Sequence, residues 1–446
     1  MFDVLVRRGR VVVEDGIEVR SIAILDGRVA ALISGGEEPP AREVVEAANH
    51  LVLPGIVDSH VHFREPGLTH KEDFASGSLA AAAGGVTTVM VMPTDDPFTI
   101  TPENFTDKIA LATGRSYVDF ALQAGLGSTR EHVRALADLG AISFEIFMSD
   151  LPPSLLVDDP AELIASLAAA REAGRVAGVT PGNNSLYRRA AENAQRAFGT
   201  ARAAFAASRP PEAEALGVVE ACIASSLSGA RIHLRQISCA ASLTALAAFR
   251  TGNVTAEVTP HNLILDEADF LRLGPVAKVA PPLRPAADVA AIRRAMTAGV
   301  LDVIATDHAP HHPDEKARGA DDIWKGPGGF PGVQTFLPLM LRLVGEGVLD
   351  YPRLVRTCCA TPARLFGLYP RKGCLQVGSD ADFVIVDPSR PMTIRNQDQL
   401  SKARDVPFDG MTAPAAPVLA CLRGTAIMRN GTAVGPPAGQ FVSPCV

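Results

Sequence analysis

No five consecutive residues of this 446-residue chain carry charge of one sign, and 42 Lys+Arg stand against 49 Asp+Glu. The basic stripe that a phosphate backbone requires is missing, which excludes nucleic acid as a partner. No two of the seven cysteines form a C-x-x-C pair. The odd, scattered set reads as buried thiols of a reducing cytoplasm. The N-terminus, MFDVLVRRGRVVVEDG, lacks a basic region followed by an apolar one and alternates like a strand, so it does not read as a signal peptide. A bilayer span is also lacking. The stretch 74–94 has no charge, but Gly84-Gly85, two serines, Thr87-Thr88 and Pro93 interrupt it, and it predicts a buried helix followed by a buried strand with no membrane partner. With 47% hydrophobic and 20% charged residues and a net charge of −7, the chain is not of the disordered class.

What is present is a repeat. From residue 50 to about 310 an apolar strand-like run, a polar residue at its C-terminal end and an Ala/Leu-rich helical segment recur. The eight runs are 51–63, 86–93, 117–124, 141–148, 176–181, 230–238, 254–260 and 301–310. Each is continuous in Val, Ile and Ala, as parallel strands covered on both faces are, with helical segments such as 131–139 and 160–173 between them. Eight β/α units in roughly 260 residues predict a (β/α)8 TIM barrel. Outside it, short alternating runs (4–6, 10–13, 21–25 and 28–32; 381–386, 417–423 and 425–429) with turns at Asp15-Gly16, Asp26-Gly27 and Asn430-Gly431 predict a small sandwich-like β-domain built from both chain ends. The predicted organisation is an α/β chain with residues 51–364 in the barrel and residues 1–50 and 365–446 in the β-domain. The final stretch from Gly435 is Gly/Pro-rich and predicted irregular.

Barrels of this kind place reacting groups at the C-terminal ends of strands. The first strand ends Asp58-Ser-His60-Val-His62. Two imidazoles at i and i+2 point to one face, where a single metal ion can be gripped by both; the alternative is two polar residues at a strand end. The eighth ends Ala305-Thr-Asp307-His308-Ala-Pro-His311. Asp307 there is placed to bind the same ion and take a proton from its water, or, on the structural alternative, to cap the following segment.

The segments VDSHVHFREPGLTHKEDF (57–74), GGVTTVMVMP (84–93), ATDHAPH (305–311) and GLYPRKGCLQVGSDADFVIVDP (367–388) resemble the cyclic amidohydrolases, namely dihydroorotase, allantoinase and hydantoinase, over nearly the whole chain. The resemblance implies a barrel with a small β-domain, Zn²⁺ with Mn²⁺ as the alternative, a homo-oligomer (dimer or tetramer), and hydrolysis of an amide bond in a small ring by metal-activated water. The family usually holds two metals bridged by a carboxylated lysine on strand four; here that position is Glu145 in SFEIF. Its side chain is about three atoms shorter, which leaves it ~4 Å from the bridging place at about 1.5 Å per bond. The strand-five and strand-six histidines correspond to Thr180 and Gln236. His233, of opposite strand parity to Gln236, is expected to face away from the ligand position.

The set that remains is His60, His62 and Asp307, with Glu145 as a possible fourth ligand, and three protein ligands plus an open position suffice for a catalytic zinc. By the resemblance, Arg64 matches the dihydroorotase arginine that holds a substrate carboxylate, against a surface salt bridge as the alternative. Thr94, a candidate substrate contact, stands where that family has Asn; Thr180 and Gln236 are substrate contacts or vacated ligand positions; His311 and Asn262 are candidates for ring contacts. The loop 326–332, GPGGFPG, presents backbone amides or is a plain turn cluster. The expectation is therefore a one-metal hydrolase of a small cyclic amide or imide, with a non-catalytic assembly protein as the rival.

Overall fold

The computed structural model describes residues 1–127 and 129–445. The chain opens with strands β1 (Phe2–Val13), β2 (Gly16–Leu25) and β3 (Arg28–Ile33), joined as antiparallel hairpins. The Asp26-Gly27 turn has φ of +52° and +74°, the left-handed pair that lets a two-residue loop match strand twist. β4 (Ala41–Glu46) runs parallel to the first half of β1, and β5 (Leu51–Pro54) to its second half.

The run 51–63, expected as one strand, is two. At Gly55 the backbone presses on the next barrel strand so closely that a Cβ would lie 2.0 Å from Thr87 Oγ1. There the chain leaves the flanking sheet and enters the barrel as β6 (Ile56–Val61). β7 (Val86–Val91) pairs with it in parallel, and β8 (Asp119–Leu122) pairs in parallel with β7. β9 (Ala124–Gly125), β10 (Ser143–Phe147), β11 (Val176–Thr180), β12 (Ile232–Leu234), β13 (Val254–Val258) and β14 (Val303–Ile304) continue the parallel order.

Gln123 interrupts the third strand between β8 and β9. Its side-chain Nε2 donates to Ser59 O (3.1 Å) and Met90 O (3.0 Å). The circle closes where His62 N donates to His308 O (2.7 Å) and Thr306 N to Asp58 Oδ1 (3.1 Å). The result is the eight-position TIM barrel, its strands buried almost throughout. The charge-free stretch is a helix, Phe74–Ala83, started by an Asp73/Ser76 capping box and followed directly by β7. The segments expected helical at 131–139 and 160–173 are Val133–Asp138 and Pro160–Glu172. Among the described residues no helix is long and apolar enough to cross a membrane.

β15 (Phe383–Asp387) pairs with β5, while β16 (Met392–Thr393) and β17 (Thr412–Ala413) form a detached pair. β18 (Ala416–Leu422), β19 (Thr425–Arg429) and β20 (Thr432–Ala433) complete one nine-stranded sheet built from both ends of the chain. Its apolar face gathers Val6, Ile22, Val52, Phe383 and Leu419 into a separate core. Lys372 ties sheet to barrel: its buried ammonium donates to Asp382 Oδ2 (2.6 Å) and Asp119, and lies 2.9 Å from Asp380 Oδ2. The segment after Gly435, expected irregular, has no extended element of its own but docks on β8: Phe120 N donates to Gln440 O (3.0 Å) and Val442 N to Phe120 O (2.8 Å).

Candidate active site

β6 and the end of β14 deliver His60, His62 and Asp307 to one point, with ligand atoms all within 4.8 Å of one another. His60 Nε2 and His62 Nε2 lie 3.3 and 3.2 Å from Asp307 Oδ1. The opposite ring nitrogens are held from behind. His60 Nδ1 donates to Glu257 Oε1 (2.8 Å), and His62 Nδ1 is hydrogen-bonded to Thr94 Oγ1 (2.7 Å). Anchoring Nδ1 so that Nε2 points inward is how a protein prepares imidazoles to hold a metal. Asp307 Oδ2 accepts from Gln236 Nε2 (2.6 Å).

Burial, with Arg64 and His60 nearby, holds the His62 imidazolium well below its ordinary range, so the ring is neutral and free to act as a ligand. Burial also opposes charge on His60, but Glu257 and Asp307 outweigh it and leave its pKa above the ordinary value. Burial raises Asp307, only partly offset by His60 and His261. Arg64, Gln236 and Asp307 have φ of +60°, +53° and +49°. Three non-glycine residues in the left-handed region around one cavity mark a site whose surroundings enforce an unfavourable backbone.

The cavity has a volume of about 510 Å³ and is lined by His60, His62, Arg64, Thr94, Thr180, Gln236, Asp307 and His311 together. Phe147, Leu151, Tyr187 and Phe205 supply an apolar wall, and Gly326 to Gly329 a backbone rim. That rim is pinned by two buried lysines: Lys316 Nζ donates to Pro327 O (3.1 Å) and Gly329 O (2.6 Å), and Lys278 Nζ to Ile323 O (2.7 Å) and Gly326 O. Arg64 Nε donates to Pro310 O (3.2 Å) and Nη2 to His311 Nε2 (3.2 Å). No carboxylate among the described residues forms an ion pair with this buried guanidinium, so its charge is available to an anionic or carbonyl oxygen in the cavity.

Two expected site residues stand elsewhere. Asn262 is buried outside the cavity lining, with neither side-chain polar atom partnered. Glu145 is not brought to the trio. Its carboxylate accepts from Ser143 Oγ (2.8 Å) and from Arg235 Nε (3.1 Å) and Nη2 (2.9 Å), below the cavity floor. Glycine at 178 makes room for it, since a Cβ there would lie 2.1 Å from Glu145 Oε2.

His233, expected to face away, points into the barrel with Nδ1 bonded to Thr255 Oγ1 (2.8 Å) and Nε2 3.3 Å from Glu257. Gln236 faces the cavity because its left-handed backbone breaks the strand alternation on which the parity argument rested. Glu257 and Arg235 escaped the sequence reading. Their roles lie in bonds to residues on other strands, for which the local sequence carries no signal.

Residues 51–417 match the sequence profile of the amidohydrolase family. The chain is 36% identical to an allantoinase of Rubrobacter xylanophilus over 99% of this chain and 98% of that protein. It is 36% identical to a dihydroorotase of Methanothermobacter thermautotrophicus over 97% and 95%. The solved structure of an L-hydantoinase from Arthrobacter aurescens superposes with a TM-score of 0.95 at 34% identity, covering 99% of this chain and 100% of that one. Three enzymes named for three different rings stand at nearly equal identity, so it falls to the cavity to discriminate between substrates.

Proposed function

Because this chain belongs to the amidohydrolase family, we propose that it is a cyclic amide hydrolase that opens the C–N bond of a small cyclic amide or imide at one metal ion held by His60, His62 and Asp307. The observation that carries this is the convergence of two Nε2 atoms on Asp307 Oδ1 while both Nδ1 atoms are anchored. Two imidazoles and one carboxylate form a donor set that suits Zn²⁺ and leaves coordination positions open for water and substrate. When bound, the ion supplies Lewis acidity to the ring carbonyl and to the attacking water. The Asp307 carboxylate takes the water's proton and hands it to the leaving ring nitrogen, with Gln236 Nε2 fixing its second oxygen. Arg64, with His311 behind it, holds the far oxygen of the ring or a carboxylate attached to it. Thr180 and the apolar wall of Phe147 and Leu151 enclose the ring and exclude bulk water.

The test is metal analysis of protein purified without chelator, paired with ring-opening assays on dihydroorotate, allantoin and hydantoins. About one equivalent of metal together with turnover of one of these rings is expected. Two tightly held equivalents overturn the one-metal reading, and no metal with no turnover returns the chain to a non-catalytic role.

A further inference from the structure

Arg235 lies under the site, wholly buried, with every N–H group engaged. Nε and Nη2 donate to the two oxygens of Glu145 (3.1 and 2.9 Å), and Nη2 also donates to Gln123 Oε1 (2.6 Å). Nη1 donates to Glu257 Oε2 (2.8 Å) and Ser59 O (3.1 Å). Five donors meet five acceptors, which a planar guanidinium can do and an ammonium with three donors cannot.

Glu257 is shared. Its Oε1 accepts from His60 Nδ1, and its Oε2 accepts from Arg235 and Ser59 Oγ (3.4 Å) and lies 3.3 Å from His233 Nε2. Glu145 and Glu257 are both essentially without solvent. With the guanidinium gone, two buried carboxylates would be left with no fixed cation between them, a state so costly that Glu257 would turn from its place. A turned Glu257 no longer fixes which nitrogen of His60 carries the hydrogen, and the ring loses the anchor that aims Nε2 at Asp307.

We propose that Arg235 is a positioning residue of the metal site: it pins Glu257, and so holds the His60 ring with Nε2 presented to Asp307. The inference rests on reading His60, His62 and Asp307 as the metal ligands.

The experiment uses the full-length chain and two readouts. ¹⁵N NMR of metal-free protein at alkaline pH reads which His60 nitrogen carries the proton, and Zn²⁺ affinity is read by competition with a chromophoric chelator. Wild type is expected to show the proton on Nδ1. Arg235→Lys is expected to mix the two forms and to weaken Zn²⁺ by about 10- to 100-fold. Arg235→Lys/Glu257→Gln is expected to bind no more weakly than Glu257→Gln alone, because both changes act through one carboxylate. Glu145→Gln, which leaves the Arg235–Glu257 contact in place, is expected to stay within about threefold of wild type, and Arg235→Gln, read in the same two ways and expected to lose both the Nδ1 proton preference and Zn²⁺ affinity, decides the matter should Arg235→Lys fail to fold. A wild-type His60 protonated on Nε2, an unaltered affinity in Arg235→Lys, losses that multiply in the double variant, or a large loss in Glu145→Gln would each overturn the proposal. A wild-type chain that binds no Zn²⁺ yet shows the Nδ1 proton removes the metal reading and leaves the positioning of His60 by Arg235 standing.

Discussion

Thr94 Oγ1 sits 2.7 Å from His62 Nδ1, so the hydroxyl of one loop residue sets the orientation of an imidazole that belongs to a barrel strand. Thr94 was expected to touch substrate, and it does line the cavity, but its hydroxyl is occupied by the ring. Thr94→Val keeps the shape and removes the anchor. The expected outcome is a Zn²⁺ affinity about tenfold or more weaker with an unchanged unfolding transition, measured by chelator competition and calorimetry. Unchanged affinity would mean that the contact does not orient the ligand.

Asp307 calls for a substitution that tolerates its φ of +49°. Asparagine does so more readily than other residues, whereas alanine would add backbone strain to the chemical change. Asp307→Asn retains an oxygen lone pair for a metal but cannot accept a proton. Turnover is expected to fall by roughly 10² or more with the protein still folded and much of its metal retained. Ring-opening kinetics beside metal analysis separate the two effects.

His311 offers a pH test away from the proposed metal ligands. Burial, then the Arg64 guanidinium and the Lys71 ammonium, push its pKa down to about 2. The unfolded chain protonates the same ring at about 6.5. The native state therefore binds fewer protons below that value, and the stability contributed by this group is fully present above it and lost as the pH falls. The His311 ring should remain neutral through an NMR titration into the acid range. Arg64→Met should raise that pKa and weaken binding of ring substrates, seen as a higher KM. A His311 that titrates normally in wild type would contradict the placement of both residues.

Lys372 makes a stability prediction. Its ammonium is the cation shared by Asp119, Asp380 and Asp382, and burial opposes its charge while the three carboxylates outweigh that and raise its pKa. Lys372→Met leaves buried carboxylates with only Arg423 and Arg371 beside them. A loss of roughly 3–5 kcal/mol is expected in urea unfolding, with the metal affinity of whatever remains folded unchanged.

Much of the barrel could be read from the sequence because its strands are apolar runs whose ends carry the chemistry, and His60, His62 and Asp307 were identifiable from those ends alone. The break at Gly55 could not be read, because it depends on a contact with Thr87 some thirty residues away. The length argument already left Glu145 short of the trio, but what it reaches instead required Arg235, and nothing local in HLRQ announces an arginine that turns inward. Glu257 was hidden for the same reason: its role lies in bonds to His60 and Arg235, on other strands. Patterns along a chain report which face a residue takes, and partners across the barrel interior are set only when the strands close.

The docking of Gln440 and Val442 on Phe120 has a consequence for how the molecule comes into being. A strand made early in synthesis has part of its edge satisfied only by residues made more than three hundred positions later. During synthesis that edge must wait until residues 440–442 have emerged, and a barrel whose chain has not grown that far is incomplete at its third strand. Trimming the chain before Gln440 would leave the same edge open in the finished protein.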